Sequence, residues 1–270
     1  MLGLANSLSG SQYVEGVWTP CDMSSLTVWL KVNNKIRSDQ EGSDPFGSQD
    51  HRTSLSTMED ADKIHQWNSH ACATVNATQA TQSKKPVWET DAADVGGLYF
   101  SGSKVMELSE DVVLNEDTDF TIAIRFRAVD LVSASYNKAF MGSATSEFIR
   151  INDETTFRMK INGTTRDFAL ASGKMESDEY YTLLIVRSDG STGNLNMFIR
   201  GNESLDGTAT GTQIGSELQD TGEITINGIG GPSETTGQAK SFIKDLLIWD
   251  ETAASSADRK LIFDYIEGQE

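Results

Sequence analysis

The chain has 270 residues and a formal net charge of -18 at pH 7. That balance argues against nucleic acid, which is held mainly by Lys and Arg neutralising phosphates, and against anionic membrane surfaces for the same reason. Hydrophobic residues make up 37% and charged residues 23%, with 23 Gly and 4 Pro, the composition of a soluble globular chain rich in turns, and no apolar run reaches the roughly 20 residues of a membrane helix.

The chain opens with MLGLANSLSGSQYVEG, which lacks the basic and apolar regions of a secretory signal and is expected to stay on a protein made in a cytoplasm. Residues 1–18 read as a polar arm with isolated apolar side chains at Leu2, Leu4, Leu8, Tyr13 and Val14. Without an internal repeat or a second compositional zone, residues 19–270 read as one domain. Cys21 and Cys72 are the only cysteines. Far apart in a chain without a signal, they are expected to be reduced and partly buried.

LTVWLK at 26–31 alternates apolar and polar residues as a strand does. The stretch 37–62 contains Gly42, Pro45 and Gly47 among few apolar residues and reads as a long surface loop. From Ile64 onward, short strand signals recur between turn residues. DFTIAIRFRA sets Phe120, Ile122, Ile124 and Phe126 on one face against Thr121, Arg125 and Arg127. TTFRMKING does the same with Phe157, Met159 and Ile161, and Asn162-Gly163 is a hairpin signal. EYYTLLIVRSDG and NLNMFIRGN continue the pattern around Asp189-Gly190 and Gly193. Such spacing means a sandwich, a jelly roll or a barrel. At the end, 242–249 reads as a strand buried on both faces. Ser255 and Asp258 then form a capping box for a helix carrying Leu261, Ile262, Tyr265 and Ile266, with Gly268 as C-cap.

The order WTPCDMSSLTVWLKVNN, IHQWNSHACATVNATQATQSKKPVWETD, GGLYFSGSKVMEL and DFTIAIRFRA resembles the opening of the concanavalin A-like lectin/glucanase superfamily, in its laminin-G-like branch. YYTLLIVRSDGSTGNLNMFIRGN, GEITINGIGG and FIKDLLIWDETAASSADRKLIFDYI are similar to that family's later strands and closing helix. The resemblance runs from Trp18 to Tyr265. It implies an all-β fold: an antiparallel two-sheet jelly-roll sandwich with a short C-terminal helix and an extended N-terminal arm, the last strand returning beside the first. It also implies that Trp67 and Trp88 pack the core.

The same sandwich carries many functions. A retaining glucanase of the superfamily needs carboxylates alternating on one strand, about 5 Å apart. GEITING has one Glu, and the acids of KDLLIWDE are too widely spaced and divided between faces. No nucleophile elbow, phosphate loop or His-Glu-x-x-His is present, so the chain is expected not to be an enzyme. His65, His70 and Cys72 match no zinc-finger spacing. No cofactor is expected, although Asn115, Glu116, Asp117 and Asp119 place oxygen ligands in one turn that suits either structural calcium or a solvated acidic loop. At Ser101–Lys104 the chain departs from the family's Asp-rich calcium motif. Sugar binding requires exposed aromatics beside planar polar groups, which singles out Tyr136 and Asn137. Asn76, Asn162 and Asn202 match the glycosylation sequon and are read as chance matches.

Together these features are similar to virion structural proteins of tailed bacteriophages, those of marine cyanobacterial phages in particular. The resemblance implies a non-enzymatic capsid decoration or a fibre or appendage component, docked through its arm onto other capsid or tail proteins. It is expected to be a homo-oligomer assembled in the bacterial host cytoplasm, with no nucleic-acid partner and no membrane insertion. A carbohydrate-binding module for host surface glycans is the alternative, and a glycoside hydrolase a distant third.

Overall fold

The computed structural model describes residues 18–32, 36–39, 62–91, 94–129, 131, 138–144, 146–170, 173–201, 209–230 and 241–268. The arm residues Leu2, Leu4, Leu8, Tyr13 and Val14, and the sugar-contact candidates Tyr136 and Asn137, lie outside them.

Strands dominate, as the alternating patterns require. In chain order they are β1 (Leu26–Lys31), β2 (Ile36–Asp39), β3 (Lys63–Trp67), β4 (Ala77–Thr78), β5 (Val87–Asp91) and β6 (Asp94–Phe100). Then come β7 (Met106–Leu114), β8 (Phe120–Ala128), β9 (Lys138–Ala144), β10 (Glu147–Asp153), β11 (Thr156–Ile161) and β12 (Thr164–Ala169). The last five are β13 (Tyr180–Ser188), β14 (Asn194–Arg200), β15 (Thr212–Gln219), β16 (Ile224–Ile229) and β17 (Ser241–Trp249), before helix α1 (Ser256–Glu267).

All strand pairings among the described residues are antiparallel. One run orders the strands β1, β17, β8, β13, β14 and β15. A second passes from β3 through β4, β7, β16, β9, β10 and β11 to β12. The two-sheet expectation is coarsened here. β6 pairs with β17 at Leu98–Phe100 and with β5, which reaches β3, so the 17 strands among the described residues share one continuous network, nearly closed into a barrel. At the remaining seam β15 meets β12. A Cβ on Gly215 would stand 3.2 Å from the Phe168 Cα, and with φ at +64° that position suits glycine.

The core follows the alternation. Phe120, Ile122, Ile124 and Phe126 point into the main hydrophobic cluster, with Trp67 and Trp88 in it as expected. Ala123 on the opposite face of β8 joins Leu184, Leu247 and Trp249 in a second cluster closed by Ile262, Phe263 and Ile266 of α1. The helix begins where the capping box puts it: the Asp258 N–H donates to Ser255 Oγ at 3.2 Å, and the Ser255 N–H donates to Asp258 Oδ2 at 3.0 Å. Ahead of β1, the Trp249 Nε1–H donates to the Pro20 carbonyl at 3.2 Å, and Trp18 meets Tyr265 edge-on with ring centroids 5.9 Å apart.

Two local expectations are corrected. The surface loop was to begin at residue 37, yet Arg37, Ser38 and Asp39 extend β2 against β3. Pairing with a neighbouring strand makes a strand of a polar segment whose own composition signals a loop. Cys21 and Cys72 are not reduced but joined in a disulfide, with Cα atoms 6.0 Å apart. The reason is topological. The backbone of residues 69–75 lines the edge of β1, with the His70 N–H donating to the Trp29 carbonyl at 2.8 Å and the Val75 N–H to that of Thr27 at 3.4 Å. This brings Cys72 beside the turn that carries Cys21. Both cysteines are exposed to solvent.

Reduction of the disulfide, which spans 51 residues of sequence, is expected to lower stability by about 2–4 kcal/mol in urea titrations. Burial, reinforced by the charge of Asp245, pushes the Tyr265 hydroxyl up to about 12. A raised acid favours its neutral form in the fold, so its contribution is complete below pH 10 and disappears as pH climbs towards 12. Tyr265→Phe is expected to flatten the loss of melting temperature across that interval.

Candidate functional site

Four turns meet at one end of the barrel. They join β7 to β8 (115–119), β11 to β12 (162–163), β13 to β14 (189–193) and β15 to β16 (220–223). Their residues suit tight reversals. Asp117, Asn162 and Asp189 have positive φ of 60°, 43° and 65°, a region that Asn and Asp tolerate better than most residues. Gly193 also has positive φ, and a Cβ there would stand 2.2 Å from the Asp220 carbonyl oxygen. The turns are tied to one another: the Asp220 N–H donates to the Gly193 carbonyl at 2.7 Å, the Asp117 N–H to that of Thr221 at 3.2 Å, and the Gly190 N–H to Asp119 Oδ1 at 3.1 Å.

Between the β11–β12 hairpin and the β15–β16 turn lies a cleft of about 360 Å³. The hairpin contributes Ile161, Asn162, Thr164 and Arg166, and the facing wall Gln219, Asp220, Thr221 and Gly222. Its floor is ionic. Asp220, only 6% exposed, has its Oδ2 2.7 Å from Arg166 Nε, an ion pair without the alignment of a hydrogen bond, while Oδ1 accepts the Gly222 N–H at 2.9 Å. Around this pair stand two amides and two hydroxyls. An open recess with planar amides, hydroxyls, a guanidinium and a carboxylate can hydrogen-bond a hydroxyl-rich ligand from several directions.

Behind the wall sits Arg187, fully buried, its guanidinium 4.6 Å from the centroid of the Phe120 ring. It donates to three backbone carbonyls: Nε to Thr118 at 2.7 Å, Nη1 to Gly222 at 2.6 Å and Nη2 to Asn115. Burial pushes its ionisation below the usual arginine value, opposed by Asp220, Asp117 and Asp119. The carbonyls of Asn115 and Thr118, in the turn that the sequence offers for calcium, therefore face a guanidinium. Among the described residues no group of three or more His, Cys, Asp or Glu side chains is placed to hold a metal.

Other residues singled out by sequence are dispersed. Cys72 is in the disulfide and His70 packs on Trp29 with ring centroids 4.4 Å apart. Asn76 is built into the fold, its Oδ1 accepting the Ser69 N–H at 2.7 Å. Asn162, read only as a turn residue, lines the cleft. Arg166, Gln219 and Asp220 went unnoticed because no local pattern marks them, and the two walls lie more than 50 residues apart in sequence.

No protein-family model matches the sequence, and no curated protein matches it. Among solved structures, the chain is similar to Trypanosoma rangeli sialidase in complex with 2,3-difluorosialic acid, at 13% identity and a TM-score of 0.50, over 92% of this chain and 35% of that one. It also aligns with the enzymatically active domain of bacteriophage CBA120 tailspike protein 2, at 16% identity and a TM-score of 0.44, over 69% and 30% of the two chains. The chain thus spans about a third of the length of the sialidase it matches. At such identity the likeness is one of fold. It corrects the expectation that the chain is not an enzyme, since the fold is shared with part of a carbohydrate-active protein. Motif spacing does not register a likeness carried by backbone geometry.

Arg166→Ala leaves the buried Asp220 carboxylate without its adjacent cation and is expected to cost about 1–3 kcal/mol in chemical denaturation.

Proposed function

We propose that this chain is a glycan-recognising β domain of a tailed-phage surface appendage, and that the cleft between Asn162 and Gln219 holds the sugar. The observation that carries this reading is the arrangement of Asn162, Thr164, Arg166, Gln219 and Thr221 around an Asp220 already fixed by the Gly222 N–H and the Arg166 guanidinium. Groups held in place before binding lose little freedom when a ligand arrives. Sugar hydroxyls donate and accept at short range, which amide and carboxylate pairs serve better than apolar walls do.

In this reading the continuous strand network is a two-layer jelly roll, supported by the two separate clusters that the faces of β8 feed. Residues 1–18 are the docking arm, reaching other virion proteins through Leu2, Leu4, Leu8, Tyr13 and Val14, and 19–270 the displayed domain. Fold likeness to part of a sialidase is compatible with a carbohydrate ligand. An open cleft of this size gives weak single-site binding, so oligomeric display supplies avidity.

The test is a calorimetric titration of the purified protein against host surface polysaccharides, with product analysis to tell binding from cleavage. Gln219→Ala and Thr164→Ala are each expected to weaken binding about three- to tenfold, the worth of one hydrogen bond, without lowering the melting temperature. Absence of saturable binding to every polysaccharide, or binding that ignores both substitutions, removes this reading. Tyr136→Ala and Asn137→Ala serve as the comparison, and a loss confined to them would move the site to their segment.

A further inference from the structure

Three carbonyl oxygens, of Asn115, Thr118 and Gly222, converge on one buried point from two turns about 100 residues apart in sequence. Carbonyl oxygens facing a common centre repel one another and, buried, each requires a donor. Carboxylates of Asp117, Asp119 and Asp220 add negative potential at the same place. Such a centre demands a cation. A hard divalent ion satisfies it with 6–8 oxygens at about 2.3–2.6 Å, whereas a guanidinium does so with a planar fork of five donors. Here the chain supplies its own cation, and that cation lies over the Phe120 ring.

We propose that Arg187 serves as an internal cation in place of a bound metal ion, the positioning residue that holds the wall of the cleft in register. Its Nη1 grips the Gly222 carbonyl, two residues from Asp220, and its other two nitrogens grip the turn whose Asp117 N–H bonds Thr221. The cleft wall and the 115–119 turn are thereby joined through one side chain on β13. Two consequences follow. The intact protein keeps its loop end without divalent ions, and removal of the guanidinium turns the same oxygens into a receptor for a small cation. The connection to sugar binding rests on the function proposed above, but the cation role does not.

The experiment compares melting temperature and backbone amide exchange of the full chain with those of Arg187→Ala, each in EDTA, in millimolar CaCl2 and in dilute guanidinium chloride. The intact protein is expected to melt at the same temperature in EDTA and in calcium. Arg187→Ala is expected to melt about 5–10 °C lower, with faster exchange at Asp117 and Gly222, and to recover part of both losses in calcium or guanidinium. Where Arg187→Ala does not fold, Arg187→Met is used: it refills the space over Phe120 and leaves the carbonyls without donors, with the same rescue expected on a smaller scale. The proposal is overturned if EDTA destabilises the intact protein, if neither cation raises the melting temperature of the variant, or if Arg187→Met matches the parent. Sugar titrations run in parallel keep the two readings apart, because rescue without glycan binding retains the internal cation and discards only the ligand.

Discussion

Strand β17 has no face in water. All nine of its residues are buried, and it pairs with β8 along one side and with β6 and then β1 along the other. Its apolar side chains face both ways, with Ser241, Lys244 and Asp245 as buried polar members. Ile243, Leu246 and Ile248 enter the main core, while Leu247 and Trp249 enter the cluster beneath α1. The register shift between Ile243 and Asp245 falls within the pairing with β8, at the point where the opposite edge passes from β6 to β1, and Lys244 there lies over the Tyr180 ring, 4.3 Å from its centroid. A bulge re-aims a strand locally, and here it coincides with the change of partner on the other edge.

The two ends of the barrel are held by different physics. Near α1 the contacts are hydrophobic and aromatic: Trp18, Trp29 and Tyr265 meet edge to face, and the disulfide ties the residues before β1 to the segment that lines its edge. Arg200 bridges the sheet to the helix through Glu267 at 2.6 Å and Asp264 at 3.0 Å. At the other end the contacts are polar, organised around Arg187 and Asp220. Apolar packing resists water, whereas a polar end with turns tied by hydrogen bonds presents ligand-binding groups to it. The placement of the cleft follows from that division.

The charge of -18 acts on a different scale from these contacts. Spread over the surface it steers encounters and maintains solubility without specifying a fold, while individual surface cations are balanced locally. Arg158 pairs bidentately with Asp167 at 2.6 and 2.7 Å, and that guanidinium holds the Asp167 carboxyl below the usual range.

Local rules were legible in the sequence. Side-chain alternation marked β8, β11 and β13, the Ser255 and Asp258 pair marked the start of α1, and Asn162-Gly163 marked a hairpin, because each depends on neighbours within a few positions. The largely apolar run at 242–249, rich in branched and aromatic residues, even disclosed burial on both faces. Tertiary structure alone decided the rest. It made a strand of Arg37–Asp39 by offering β3 as a partner, joined Cys21 to Cys72 along the edge of β1, and merged the strand runs into one network through β6. It also set Arg187 against carbonyls 35 to 72 positions away and opened a cleft between the β11–β12 hairpin and the β15–β16 turn. Long-range pairing depends on which surfaces meet after the chain has closed on itself, and no short window of residues holds that information.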